Sequence, residues 1–245
     1  MLKITDLVVQ TKDEGKQILN GVSLSLCPGE VHVLQGKNGS GKSTLAASVA
    51  GHPNFVVTGG KIEMIEERYP KHIQEKLGVP DTAHFEIQGL PADKRSLAGI
   101  FLAHQYPLEI PGLDFLQFLR LAYNQHKENP LPVHKFRKLV QEKAALINYP
   151  LKLLERNLNT GLSGGEKKKT EVLQMAILSP RYVILDETDS GLDKHAIHDV
   201  FTGINALREA LPEMTLLVIT HYDRVLEYLK PDQVHTLENG NLTVN

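Results

Sequence analysis

The residues best suited to chemistry are Gly36-Lys37-Asn38-Gly39-Ser40-Gly41-Lys42-Ser43-Thr44, spaced as G-x-x-x-x-G-K-[ST]. The glycines let backbone N–H groups turn inward around an anion, and a helix opening at the loop adds the positive end of its dipole. Lys42 supplies a point charge for β- and γ-phosphates, and the Ser43 hydroxyl is placed to ligate Mg²⁺. A second stretch, Asp186-Glu187, ends the apolar run Tyr182-Val183-Ile184-Leu185. Two carboxylates at a strand end are costly if buried without partners. A magnesium ion and a polarised water explain them: Asp186 helps hold the metal and Glu187 reaches the water attacking the γ-phosphate.

Two further strand ends carry polar groups. Ala98 to Gln105 is an apolar run closing on Gln105, and Leu216 to Ile219 runs into Thr220-His221. Ligand groups gather at the carboxyl ends of strands in an open parallel sheet, so Gln105 and His221 are both expected to face phosphates. A lone histidine is more often structural; its place in this series favours the γ-phosphate. The stretch Leu162-Ser163-Gly164-Gly165-Glu166 opens another helix. Ser163 and Glu166 form a capping box, which alone could explain both. The glycine pair exceeds what a cap needs and would let the N–H groups hold a second anion. Asp189-Ser190-Gly191-Leu192-Asp193 reads as a tight polar turn.

Around these stretches the sequence predicts a mixed α/β protein. Val31 to Leu34 is a buried strand before the phosphate loop, and Thr44 to Ala50 is a helix closed by Gly51 and Pro53. Residues 2–9 and 22–26 alternate as half-buried strands, and Gly59–Met64 with Phe85–Ile87 reads as a hairpin. Between these last two, residues 65–84 are rich in charge and read as a solvated insertion, or else as a partner-contacting arm. Phe115, Phe118, Leu119, Ala122 and Tyr123, then Phe136, Leu139, Val140, Ala144 and Ile147, keep a helical period; this stripe is core. Residues 106–179 are therefore a mostly helical insertion. Leu237 to Val244, turning at Asn239-Gly240, is a closing hairpin. No aromatic residue precedes Phe55, so base recognition is loose or comes from elsewhere.

With 245 residues, 41% of them hydrophobic, the chain can bury a full core. A formal net charge of −2 gives no reason to expect nucleic acid as partner. No stretch approaches the ~20 apolar residues of a membrane span. The first residues read as a strand and not as a signal or transit peptide. Cys27 is the only cysteine, so neither a disulfide nor a cysteine metal cluster is expected, and the chain reads as a soluble cytoplasmic protein.

Phosphate loop, Gln105, Ser163-Gly164-Gly165-Glu166, Asp186-Glu187, the turn at Asp193 and His221, in this order, resemble the ATP-binding cassette (ABC) ATPases over nearly the whole chain. The wording of residues 105–112, Glu166-Lys167-Lys168-Lys169, residues 186–193, Thr220-His221-Tyr222 and residues 226–235 is similar to the ATPase subgroup of the Suf iron–sulfur cluster assembly system. The resemblance implies a P-loop NTPase (RecA-like) core with an antiparallel β layer, over 1–105 and 180–245, and a helical signature subdomain over 106–179. It implies ATP and Mg²⁺ as cofactors and a head-to-tail homodimer formed with ATP. Ser163 and Gly165 would then complete the partner's site, with Asp193 acting across the interface. Glu187 would be the general base, Gln105 would relay metal and water geometry, and His221 would steady the γ-phosphate. Implied partners are scaffold proteins of the SufB and SufD type, since Cys27 cannot hold a cluster. The ATPase subunit of a membrane transporter uses the same engine and is the alternative; a nucleotide-gated clamp on nucleic acid fits the charge poorly.

Overall fold

Alternating apolar residues at the N-terminus build the first layer of the computed structural model, which describes residues 1–65, 68–79, 84–222 and 224–244. Strand β1 (Leu2–Thr11) pairs antiparallel with β2 (Gln17–Leu26) and with β4 (Phe55–Ile65), and β5 (His84–Glu86) completes the sheet in the order β2-β1-β4-β5. Leu2 and Ile4 point into the core, and so do Leu7 and Val9, which a strict alternation forbids. A bulge at Asp6 resets the alternation: its φ is 47°, and the pairing shifts register there on both sides. Gly60 lies opposite, where a Cβ would run into the carbonyls of Thr5 and Asp6.

The second sheet has the order β10-β9-β3-β8-β7-β6. Its strands are β3 (Val31–Gln35), β6 (Ile100–Ala103), β7 (Tyr182–Asp186), β8 (Thr215–Ile219), β9 (Gln233–Glu238) and β10 (Asn241–Val244). β8 runs parallel to both β3 and β7, and β3 runs parallel to β9. Val31–Leu34 and Tyr182–Asp186 are buried along their length, as expected of central strands covered on both faces. Helix α1 (Lys42–Ala50) buries Leu45, Ala46 and Val49 in the same apolar cluster as Leu2, Ile4, Leu26, Ile184 and Leu217.

The chain divides into two compact units. The first comprises Met1–Leu102, Pro180–Glu187 and Glu213–Asn245; the second comprises Ala103–Ser179 and Thr188–Pro212. The family resemblance places all of 180–245 with the ATP-binding core, whereas Thr188–Pro212 belongs to the helical unit. The reason is α7 (Lys194–Ala210), whose buried Ile197, Val200, Phe201, Ile204 and Leu207 form one apolar stripe. Gly203 admits Val172 and Ile147 closely, and Lys169 bridges Asp199 at 2.7 Å. The other helices of this unit are α4 (Phe115–Gln125), α5 (Val133–Leu146) and α6 (Gly164–Leu178), with a short 3-10 turn over Leu151–Glu155. Phe115, Leu119, Phe136, Val140 and Ala144 are buried, so the aromatic stripe is core.

The insertion at 65–84 departs from a solvated segment. Residues 66, 67 and 80–83 lie outside the described residues. The rest carries α2 (Lys71–Leu77), whose Ile73 and Leu77 join the main apolar cluster, and Tyr69, whose hydroxyl donates to the Ala98 carbonyl at 2.8 Å. Two further short helices are α3 (Ala92–Leu97) and α8 (Arg224–Leu229). Arg95 of α3 is 3% exposed and faces no carboxylate among the described residues. Its guanidinium instead donates to the carbonyls of Ser48 and Val49, at the negative end of α1, and to those of Gln88 and Leu90.

Candidate functional site

Three adjacent parallel strands, β3, β8 and β7, deliver the phosphate loop, His221 and Asp186-Glu187 to the same edge of the first unit. The loop leaves β3 at Gln35 and closes on α1 through Gly41, whose φ of 108° is open to glycine alone at little cost. A Cβ on Gly41 would press on Leu19 Cδ2 at 2.8 Å. Lys42 is 5% exposed and curls back to donate to the carbonyls of Gly36 (2.8 Å) and Lys37 (3.1 Å). Burial pushes its ammonium down, and Glu187 and Asp186 pull it back up. Ser43 Oγ donates to Asp186 Oδ1 at 3.1 Å. A hydroxyl beside a carboxylate is the hard-oxygen pair suited to magnesium shared with a phosphate chain. Ser40 Oγ, inside the loop, is buried without a hydrogen-bond partner among the described residues, which fits a cradle built for an anion's oxygens.

Glu187 follows β7 with φ 46°, a left-handed conformation unusual for a side-chain-bearing residue and a small reservoir of strain. Its N–H donates to the Ile219 carbonyl at 3.0 Å, and its Oε1 meets His221 Nε2 at 3.2 Å. Both side chains keep access to solvent, 18% for Glu187 and 32% for His221. The structure therefore brings together Gly36–Thr44, Asp186, Glu187 and His221.

Gln105, Ser163, Gly165 and Asp193 belong to the second unit. Ser163 caps α6, accepting from the Glu166 N–H at 3.3 Å, while Glu166 Oε2 accepts from the Ser163 N–H at 2.9 Å. That N–H first, then the hydroxyl, hold the Glu166 carboxyl below its ordinary range. Ser163 and Gly164 are exposed at the start of a 15-residue helix, where N–H groups and dipole favour an anion. Gly165 has a packing reason as well: a Cβ there would meet Ala196 Cβ at 3.0 Å, so the glycine lets α6 begin against α7. Asp193 caps α7, accepting from the Ala196 N–H at 2.8 Å. Gln105 lies half-buried just past β6.

The family model for the ABC transporter matches residues 19–190. The chain belongs to the ABC ATPase family. A probable ATP-dependent transporter SufC from Escherichia coli is 43% identical over 99% of this chain and 90% of its own length. The probable ATP-dependent transporter slr0075 from Synechocystis is 44% identical over 95% of this chain and 84% of its own. In fold, the dimeric ATP-binding cassette MJ0796 bound to ADP and Pi superposes with a TM-score of 0.78 at 19% identity, covering 100% of this chain and 98% of that one.

Two supports of the ABC ATPase loop carry no motif. The closing hairpin buttresses it: Gly240 N–H donates to the Ser40 carbonyl at 3.1 Å, and Asn20 holds the same turn through the Gly240 and Asn239 carbonyls. Between the paired strands β3 and β9, His32 Nδ1 and His235 Nε2 lie 2.8 Å apart, and His32 Nε2 meets Glu30 Oε2 at 2.9 Å. The ring planes differ by 2° with centroids 5.1 Å apart, so the rings meet edge to edge through that bond and do not stack face to face. A carboxylate only accepts, so the His32 Nε2–H donates to Glu30. Among the described residues His235 Nδ1 is buried without a hydrogen-bond partner, and burial pushes this imidazole down to about 4.

Proposed function

We propose that this chain is a SufC-like ATPase that binds and hydrolyses MgATP and thereby drives conformational change in a Suf-type scaffold for iron–sulfur cluster assembly. The observation that carries the reading is the phosphate loop with Ser43 on Asp186 and Glu187 on His221 at one sheet edge. Lys42, released from the Gly36 and Lys37 carbonyls, and the amides of residues 38–44 hold the phosphates. Ser43 and Asp186, with Gln105, would hold magnesium, which would supply charge neutralisation on the phosphates. Glu187, oriented by His221, accepts the proton of the attacking water as its oxygen bonds the γ-phosphorus and the bond to the β–γ bridging oxygen breaks. His221 also steadies the γ-phosphate.

One chain carries a single lysine-bearing loop and, at Ser163-Gly164-Gly165, a second helix start open to anions. Ser163 and Gly165 of one copy complete the site of another in a two-fold, isologous pair, with Asp193 acting across the contact. ATP then joins the copies, and hydrolysis releases them. Exposed Tyr106, Leu108 and Leu121, and a groove of about 770 Å³ whose lining includes Leu116, Leu121, Val133 and Leu151, support a protein partner on the helical unit. Scaffold proteins of the SufB and SufD type, in the cytoplasm, are the partners that the Suf-like wording favours. The relatives' names favour a transporter subunit as the second reading. Among the described residues no helix is long and apolar enough to cross a membrane, so a transporter would need a separate membrane chain. Co-purification from native extract separates the two: a soluble iron–sulfur scaffold supports the first reading, and an integral membrane protein overturns it.

A further inference from the structure

The lysines that follow the signature glycines, Lys167-Lys168-Lys169, have no task in the site described above. Lys168 and Glu171 lie one turn apart on α6, 3% and 6% exposed, and are bonded at 3.0 Å. Burying two charges is costly unless both are fully used. Here each makes a second bond to the backbone of one residue. Glu171 Oε1 accepts from the His104 N–H at 2.9 Å, and Lys168 Nζ donates to the His104 carbonyl. That carbonyl and the Gln105 N–H share one rigid peptide plane, so the ammonium sets the direction in which Gln105 leaves the strand.

The grip continues along the segment. Asn159 Nδ2 donates to the Leu108 carbonyl at 2.8 Å, Lys167 Nζ meets Glu109 Oε1 at 2.7 Å, and Ile110 N–H donates to the Leu158 carbonyl at 3.0 Å. Glu109 is well exposed, so its pair with Lys167 is weak. The buried clamp at His104 is the contact able to impose a direction.

We propose that Lys168 and Glu171 are positioning residues for the ATPase reaction: they clamp the His104 backbone from both sides and thereby hold Gln105 in register with the helix that starts at Ser163-Gly164-Gly165. A displacement of that helix on pairing is then reported to Gln105 through two buried side chains. The inference rests on the reading of Gln105 as a residue of the nucleotide site.

The test is a double-mutant cycle on the full chain, read as steady-state Mg-dependent ATPase and as ATP affinity. The clamp variant is Lys168→Met with Glu171→Gln, which leaves no unbalanced buried charge, crossed with Gln105→Ala. A misdirected catalytic group loses on the order of tenfold to a hundredfold in kcat, and that is the loss expected of the clamp variant. ATP affinity, set by the loop of the first unit, stays at the wild-type value. In the Gln105→Ala background the clamp substitutions cost nothing more, and Lys168→Arg, which keeps a cation and its donors, retains most of the rate. If that variant melts below the assay temperature, Lys168→Gln with Glu171→Gln, which is also neutral and keeps a donor at 168, replaces it in the same cycle. A clamp variant with wild-type kcat, or a loss that multiplies with that of Gln105→Ala, overturns the proposal. A wild-type chain without Mg-dependent hydrolysis overturns the proposed function instead.

Discussion

Glu187→Gln isolates the proton acceptor from everything else the residue does. Glutamine keeps the length and one oxygen of glutamate, so the contact with His221, now 3.2 Å, can persist. The left-handed backbone, φ 46°, strains both residues equally, so stability changes little. What disappears is a basic carboxylate. A positioned base contributes about 10²–10⁴-fold, which at 1.36 kcal/mol per decade is about 2.7–5.4 kcal/mol on the barrier. Binding moves the other way. Glu187 and Asp186 are the charges that offset the burial of Lys42, and removing one of them leaves less negative charge facing the triphosphate. ATP affinity of E187Q is therefore unchanged or tighter. Quenched single-turnover hydrolysis, with protein in excess over labelled ATP, separates this chemistry from product release, and titration calorimetry gives the affinity. Hydrolysis by E187Q at the wild-type rate, or a slow rate explained by weaker ATP binding, would refute the assignment of the base.

Two other outcomes follow from the same structure. Ser163→Arg places a bulky cation at an exposed helix start and should spare ATP binding by the single chain while abolishing ATP-dependent pairing; sedimentation velocity with and without MgATP reads this directly, and normal pairing counts against a shared site. His235 sits near 4 when folded against 6.5 when unfolded, so protons bind the unfolded chain first as pH falls. Stability is therefore present above 6.5 and drains between 6.5 and 4, by roughly 3 kcal/mol in all, about 2 of it by pH 5, at 1.36 kcal/mol per unit. Urea melts at pH 7.5 and 5 should show this loss, and His235→Gln should remove most of the difference; an equal loss in the variant would place the acid sensitivity elsewhere.

The parts of the site legible in the sequence are those whose chemistry is written in consecutive residues. The phosphate loop, the capping box at Ser163 and the carboxylates closing β7 each need a fixed local spacing, and the neighbouring strand or helix announces itself by burial period. The supports are not local. Arg95 reaches the end of α1 across the β4–β5 hairpin and its insertion, and Gly240 reaches Ser40 from the far end of the chain. The clamp on His104 is invisible as a motif because one of its partners is backbone. The insertion misleads for a different reason: a charged run hides Tyr69, Ile73 and Leu77, three residues that suffice to pin a short helix to the core. In α7 the signal was present as Ile197, Val200, Phe201, Ile204 and Leu207, a helical stripe that places residues 188–212 with the helical unit.

Everything proposed for function depends on a triphosphate being held by the loop between β3 and α1 with help from Ser43 and Asp186. Titration of the purified chain with ATP, with and without magnesium and alongside Lys42→Ala, tests this most directly. Affinity should be magnesium-dependent in the wild type and lost in the variant. Binding that ignores magnesium, or that survives the loss of the Lys42 ammonium unchanged, would contradict it.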